Sequence, residues 1–173
     1  MKKIKLIPIF TMSIFALAWY FFSSQVPLTV EVTKLRVVDS FSIVMGDGRD
    51  HLFVFESIDC AFCAKLHPEF SKLKNATVHL FPLPGHSPKA VELSKAVWCA
   101  ADRPRAWREA FDNITPANSS QCAGDALERN LVLAKSLGLQ STPSIVFGNG
   151  NVSVGYLDGE KLQAKLLEMR QDH

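Results

Sequence analysis

Cys60 and Cys63 are separated by two residues, a spacing that holds two sulfurs close enough to form a reversible disulfide. The apolar run 52–55 predicts a buried strand just before them, and the residues from Cys60 onward predict a helix. Cys60 would then begin a helix, where unpaired N–H groups and the helix dipole stabilise a thiolate. Cys63 follows one turn later on the same side, where it can resolve a mixed disulfide.

Other uses of a CxxC motif fit these residues less well. Haem attachment requires a histidine directly after the second cysteine, where this chain has Ala64. A zinc site requires two further ligands; His67 is one candidate and no fourth is evident, so we predict no metal and no cofactor. A purely structural Cys60–Cys63 disulfide stays open as an alternative, although so short a loop makes a strained and poor staple.

The predicted elements alternate between strands and helices. The segment from Leu35 to Met45 is rich in β-branched residues and ends at Gly46-Asp47-Gly48, which predicts a strand and a hairpin-type turn. A further strand is predicted over residues 77–83. Pro68 is expected to bend the helix that follows the cysteines, not to end it.

The second half of the chain begins with helical signals over about residues 88–139. Asn149-Gly150 then predicts a hairpin between strands at 144–147 and 152–156, and a last amphipathic helix covers about residues 158–169. The order predicts an α/β fold in which a helical insertion separates a β-α-β half from a β-hairpin-α half.

Residues 1–23 predict a signal peptide or an N-terminal membrane anchor. Lys2, Lys3 and Lys5 precede an uncharged apolar run at residues 6–22. Ala16-Leu17-Ala18 has the form of a cleavage site. We therefore expect an exported protein, either soluble after cleavage or tethered to the membrane by residues 6–22. Residues 24–34 would form a linker and residues 35–173 the domain.

Charge and cysteine content narrow the function further. Without its three N-terminal lysines the chain has 16 basic residues (19 minus 3) against 17 acidic ones, and no basic stripe indicates nucleic-acid binding. Its four cysteines suit an exported, oxidised protein. They permit three pairings, of which Cys60–Cys63 with Cys99–Cys122 is the most economical.

A set of residues spread from Leu52 to the C-terminus forms a recognisable pattern in its order and spacing: Phe55, Cys60, Cys63, Lys65-Leu66-His67, Phe81-Pro82, Gly85, Trp98-Cys99-Ala100, Cys122, Leu137-Gly138, Thr142-Pro143 and Gly155-Tyr156. With this pattern the chain resembles the catalytic domain of the DsbC family of periplasmic disulfide isomerases. The resemblance implies a thioredoxin-like fold and a periplasmic location, so that a tether at residues 6–22 would lie in the inner membrane. The predicted helical insertion then lies between the two halves of that fold.

The resemblance also implies roles for particular residues. Cys60 would be the nucleophile and Cys63 the resolving thiol. Thr142-Pro143 would form the cis-proline loop, whose backbone pairs with an extended substrate, although an X-Pro bond taken alone is usually trans. Cys99 and Cys122 match the second, structural disulfide of the family.

Two departures from the family pattern affect the predicted function. The DsbC isomerases carry a separate N-terminal dimerisation domain, whereas residues 24–51 are too few for one, so we expect a monomer. The Ala61-Phe62 spacer also differs from the usual Gly-Tyr of the family. Because the spacer influences redox potential, the direction of electron flow stays open.

We therefore predict an enzyme that reduces or isomerises disulfides in exported client proteins. By resemblance, a DsbD-type membrane protein would donate electrons to this enzyme. The enzyme itself would contact the membrane only through its N-terminal segment. A disulfide-introducing oxidase and a non-catalytic assembly module with a structural CxxC disulfide are the alternatives.

Several polar and aromatic residues near the predicted site receive smaller roles. His67 and Asp59 are possible tuning residues of the thiols, and Glu56 borders the site. We interpret the remaining histidines and tryptophans of this region as surface, strand or core residues: His51, His79, His86, Trp98 and Trp107.

Overall fold

The computed structural model describes residues 28–37, 41–117, 122 and 125–171. The predicted signal peptide or anchor, residues 1–23, lies outside the described residues. No helix within the described ranges is long and apolar enough to cross a membrane.

A five-stranded mixed sheet forms the centre of the molecule, in the order β1-β3-β2-β4-β5. β2 and β3 run parallel, and every other neighbouring pair is antiparallel. The strands are β1 (Ile43–Met45), β2 (Asp50–Glu56), β3 (Ala76–Pro82), β4 (Ser144–Phe147) and β5 (Val152–Val154). The predicted α/β class is confirmed, with β4 and β5 joined through the expected Asn149-Gly150 turn.

Helices cover both faces of this sheet. They are α1 (Val32–Val37), α2 (Ala61–Leu66), a 3-10 helix (His67–Lys72), α3 (Pro88–Trp98), α4 (Arg103–Ala110), α5 (Asp125–Ser136) and α6 (Gly159–Gln171). α2 and the 3-10 helix form the crossover between the parallel strands β2 and β3. α3, α4 and α5 follow one another between β3 and β4.

The side chains of β2 explain why its sequence is continuously apolar. Leu52 and Val54 pack with residues of α2 and α6 on one face, whereas Phe53 and Phe55 pack with residues of α1 and α5 on the other. All four are at most 1% exposed. A strand buried on both faces needs apolar residues at every position, because neither face meets water.

The region before β2 differs from its prediction. The expected strand over residues 35–45 is reduced to β1, and residues 32–37 are helical instead. Leu35 is completely buried against the β2–β3 face, so tertiary packing outweighs the β preference of its neighbours.

The predicted hairpin-type turn at Gly46-Asp47-Gly48 does not join paired strands. β1 pairs with β3, and the chain then crosses to β2 on the far side of β3. Gly48 lies directly against the Asn75–Ala76 backbone, where an added Cβ would stand 1.8 Å from the Asn75 carbonyl carbon. The glycine is therefore needed for this close crossing.

Part of the predicted linker is packed onto the domain. The Val30 N–H donates a hydrogen bond to the Gly150 carbonyl at 2.8 Å, and Thr29 forms an isolated bridge with Asn151. Val30 is buried among the residues that pack on Phe53. From residue 28 onward, the segment therefore belongs to the folded unit.

The helix after the cysteines changes type at the predicted proline. α2 ends at Leu66, and a 3-10 helix with Pro68 in its first turn continues to Lys72. Pro68 has no N–H, so it cannot donate the α-helical bond to the carbonyl four residues earlier. The expected bend is thus an α-to-3-10 transition.

Candidate functional site

The two free cysteines lie where β2 ends and α2 begins. Cys60 has an extended backbone and caps α2, because its sulfur accepts the N–H of Cys63 at 3.2 Å. Cys60 is half-buried, whereas Cys63 is completely buried. Of the two, Cys60 is therefore the cysteine that is accessible from solvent.

The Thr142–Pro143 loop lies beside Cys60. Its peptide bond is cis, and the Cys60 thiol contacts the Thr142 carbonyl at 3.4 Å. The sheet register brings them together, because Ser144, the first residue of β4, pairs with Phe55 near the end of β2. The Pro143 carbonyl accepts the Gly155 N–H at 2.8 Å, which holds the loop against the end of β5.

The surroundings of Cys63 favour its neutral thiol. Burial raises the pKa of the Cys63 thiol strongly, and the negative charge of Glu56 raises the same pKa further. The Cys63 thiol is therefore held in its protonated form. This asymmetry between the two sulfurs suits a nucleophile and a resolving thiol.

Glu56 is the centre of a buried polar cluster that sequence reasoning did not recognise. Its Oε2 accepts the indole N–H of Trp107 at 3.1 Å and lies 3.3 Å from Nδ1 of His67. Glu56 and Trp107 are completely buried, and His67 is 6% exposed. Oε1 of Glu56 has no hydrogen-bond partner among the described residues.

The separation of these residues in the chain explains why the cluster was missed. Trp107 lies on α4, 51 positions after Glu56, and no local pattern links the two. The sequence did contain one signal, a glutamate at the end of an apolar strand. A carboxylate buried there requires hydrogen-bond donors from elsewhere in the fold, so such a glutamate predicts a buried polar cluster. His67, predicted as a tuning residue, instead contacts Glu56 and lies one helical turn after Cys63.

Asp59, the second predicted tuning residue, fastens the cysteine loop to the start of α3. Its carboxylate accepts the Ser57 hydroxyl at 2.5 Å and the backbone N–H groups of His86 and Ser87 at 2.7 and 3.2 Å. Burial acts to raise the pKa of Asp59, but these hydrogen bonds outweigh it, and the pKa is lowered. A fixed negative charge therefore stands next to Cys60.

Cys99 and Cys122 form a disulfide with Cα atoms 5.6 Å apart. Cys99 caps the C-terminal end of α3, and Cys122 precedes α5. The bond thus closes a loop that contains α4, which also carries Trp107.

The other three histidines within the described residues lie on or near the sheet. His51 on β2 and His79 on β3 have ring nitrogens 2.9 Å apart, and His86 is exposed beside Asp59. In the described ranges, no group of three or more His, Cys, Asp or Glu side chains is placed to hold a metal ion.

Comparison with known proteins gives one family match and several relatives. The family model described as a thioredoxin-like domain matches residues 37–170. The "Probable thiol:disulfide interchange protein DsbC" of Bordetella parapertussis is 31% identical over 123 residues, which are 71% of this chain and 44% of that protein. The "Thiol:disulfide interchange protein DsbC" of Salmonella typhimurium is 30% identical over 145 residues, 79% of this chain and 60% of the relative. The chain thus spans about half the length of these curated relatives.

A solved structure agrees with the fold. The crystal structure of a disulfide interchange protein from Neisseria gonorrhoeae superposes with a TM-score of 0.66 and 29% identity, and it covers 75% of this chain and 96% of that one. The predicted thioredoxin-like fold and the predicted resemblance to DsbC proteins are both confirmed.

Proposed function

Because this chain belongs to the thioredoxin-like domain family, we propose that it is a thiol–disulfide oxidoreductase that works through Cys60 and Cys63. One observation carries the proposal: a half-buried Cys60 sulfur lies between the start of α2 and the Thr142 carbonyl, with a buried partner thiol one turn away. An inert structural pair would need neither the access of Cys60 nor the adjacent loop.

The exchange proceeds in two balanced steps. The Cys60 thiolate attacks one sulfur of a client disulfide, and the other client sulfur leaves as a thiolate that takes up a proton from water. Cys63 then loses its proton and attacks the Cys60 sulfur, which releases the second client thiol and leaves a Cys60–Cys63 disulfide. Two electrons have passed from the protein to the client.

Isomerisation uses the same first step. If a second client thiol attacks the mixed disulfide before Cys63 does, a new client disulfide forms and Cys60 is released unchanged. The high pKa of Cys63 lengthens the life of the mixed disulfide, because only the thiolate attacks. This delay favours reshuffling as well as net reduction.

The Thr142 backbone is the proposed docking strand for the client. Its carbonyl faces Cys60, and Ser144, two residues later, starts the strand that pairs with β2. An extended client segment can pair with this loop by strand addition, which places a client sulfur next to Cys60.

The physiological setting is part of the proposal. We propose that the clients are exported proteins, that the protein works in a periplasm as a monomer, and that a DsbD-type membrane protein returns electrons to the Cys60–Cys63 disulfide. A donor of this kind is required because each reductive turnover leaves the pair oxidised.

Two variants, compared with the wild-type protein, test the chemistry. The reduced protein is mixed with a disulfide-bonded substrate such as insulin, and the released client thiols are counted. The wild-type protein should release two thiols per turnover, Cys63→Ser should accumulate a mixed disulfide, and Cys60→Ser should do neither. Full activity in Cys60→Ser would refute the assignment.

The direction of electron flow is tested in cells. Acid quenching, alkylation and mass measurement count the free thiols in the native compartment. Reduced Cys60 and Cys63 with intact Cys99–Cys122 would support a reductase or isomerase, whereas an oxidised Cys60–Cys63 pair would indicate an oxidase or an inert structural disulfide.

A further inference from the structure

A groove of about 700 Å³ opens beside the cysteine site, on the side of the sheet where α5 packs. Two of its lining residues also contact Cys60: the Ser57 carbonyl accepts the Cys60 N–H at 3.2 Å, and the Thr142 carbonyl lies 3.4 Å from the Cys60 sulfur. The groove therefore lies next to the sulfur at which the mixed disulfide would form.

The walls of the groove are largely apolar. They come from the ends of β2 and β3 and from α5 and the segment after it: Phe55, Leu83, Leu131, Ala134 and Leu139. Four of these five side chains are buried, and Leu131 is the half-buried one, so it is the apolar side chain most open to a ligand. A partly exposed leucine at a concave apolar surface beside a reactive centre favours an apolar ligand group.

The lining residues of the groove carry one full charge, which is positive. None of its lining residues is an aspartate or glutamate, and the exposed Lys135 in the last turn of α5 is its one lysine or arginine. No acidic partner for Lys135 exists among the described residues. His86, also on the rim, is next to the carboxylate of Asp59.

We propose that this groove binds the client segment adjoining the reactive cysteine, and that it selects segments with an apolar side chain followed by an acidic one. The apolar side chain would lie against Leu131 and Leu139, and the carboxylate would pair with Lys135. The inference rests on the proposed function and adds a substrate class to it.

Peptide substrates of matched design test this preference. Each has one cysteine joined by a disulfide to neutral mercaptoethanol and flanked symmetrically by identical arms, which read Gly-Leu-Glu, Gly-Leu-Lys or Gly-Ser-Glu outward from the cysteine. We expect kcat/KM to be about tenfold higher with Gly-Leu-Glu arms than with Gly-Ser-Glu arms, because a partly buried leucine is lost. With Gly-Leu-Lys arms, kcat/KM should be about threefold lower than with Gly-Leu-Glu arms, because the ion pair with Lys135 is lost. The effect is small because this ion pair is exposed to solvent.

Two pairs of variants locate the effect. Leu131→Ser should remove most of the preference for leucine, whereas Val132→Ser, at an adjacent exposed position outside the groove, should keep it. Lys135→Glu should reverse the preference between the Glu and Lys arms, whereas Lys74→Glu, which makes the same charge change before β3, should not.

The outcomes separate this inference from the proposed function. If the wild-type protein reduces hydroxyethyl disulfide but treats the three peptides alike, the groove assignment is wrong and the function stands. An unchanged peptide preference in both Leu131→Ser and Lys135→Glu would also overturn the assignment. Absence of exchange with any disulfide would overturn both.

Discussion

The two cysteine pairs of this chain differ in burial, in neighbouring charge and in what they connect. Cys60 and Cys63 stand at a strand-to-helix junction, one half-buried and the other buried near a carboxylate. Cys99 and Cys122, which are 23 positions apart in the chain, join the end of α3 to the segment before α5. Two cysteines can thus serve disulfide exchange at one place in the fold and covalent closure of a loop at another. The accessibility of the sulfurs and the charge next to them determine which of these two roles a pair takes.

The largest expected effect is on the rate of disulfide exchange, which should depend on the Cys60–Cys63 pair and not on the Cys99–Cys122 pair. Cys60→Ser should lower the rate of disulfide exchange about a thousandfold, because no other accessible thiol lies beside the Thr142 loop in the described residues. The double variant Cys99→Ser, Cys122→Ser should retain exchange wherever it is folded. Insulin reduction at a temperature at which both variants are folded measures this, and a comparable loss in the two would contradict the division of roles.

The second effect separates the pairs by stability. Removing the Cys99–Cys122 bond should lower the free energy of unfolding by about 3 kcal/mol, because the unfolded chain loses a covalent loop closure of this length. Urea unfolding of the double variant and of the wild-type protein, both with reduced Cys60 and Cys63, gives the difference. Equal midpoints would show that the bond contributes nothing to folding.

A third prediction concerns the charge beside Cys63. In Glu56→Gln the burial of Cys63 remains, but the negative charge that raises its pKa is gone, so this pKa should fall. A lower pKa increases the fraction of Cys63 that is thiolate and decreases the nucleophilicity of that thiolate by a smaller factor. The release of a mixed disulfide by Cys63 should therefore accelerate several-fold at neutral pH.

The measurement is the pH dependence of mixed-disulfide release, followed in single turnovers after a client peptide is attached to Cys60. Glu92→Gln, at an exposed position on α3, is the matched control. A profile that does not move toward lower pH in Glu56→Gln would show that Glu56 does not set the pKa of Cys63.

The smallest effect is a pH-dependent loss of stability in the reduced protein. The unfolded Cys63 thiol ionises near its ordinary value of 9.0, whereas burial keeps the folded thiol protonated to higher pH. The unfolded state therefore releases a proton that the folded state keeps. The contribution of this thiol to the free energy of unfolding is fully present below pH 9. Above pH 9 it is lost at up to about 1.4 kcal/mol per pH unit.

Denaturant midpoints between pH 8 and pH 10 measure this loss. Cys63→Ser should show a shallower decline than the reduced wild-type protein, because its hydroxyl does not ionise in that range. Parallel declines would mean that other groups dominate.

Local signals explain which parts of the fold the sequence predicts. The apolar run of β2, the cysteines that follow it and the Asn149-Gly150 turn each carry their information within a few residues, and the structure contains the corresponding strands, helix start and hairpin. Thr142-Pro143 needed more than local information, because a cis bond at this position was expected only from the resemblance.

Non-local contacts explain what the sequence did not predict. β1 pairs with β3 instead of β2, and the choice depends on residues about 35 positions apart, such as Ile43 and Leu80. Burial of Leu35 makes α1 helical, although the stretch from Leu35 to Met45 is rich in β-branched residues. Glu56 meets Trp107 only after α4 has packed onto the sheet. In each case the decisive partner comes from a distant part of the chain.

The hydrogen bond from the Val30 N–H to the Gly150 carbonyl determines where a protein fused to the N-terminal side of this domain would lie. Gly150 follows β4 at the end of the sheet where β2 begins, whereas the cysteines follow the other end of β2, about 20 Å away for a seven-residue strand. The polypeptide therefore enters the domain at the pole opposite its reactive face. A bulky partner fused ahead of residue 28 would leave the approach to Cys60 open, so such a fusion should reduce insulin as fast as the unfused chain.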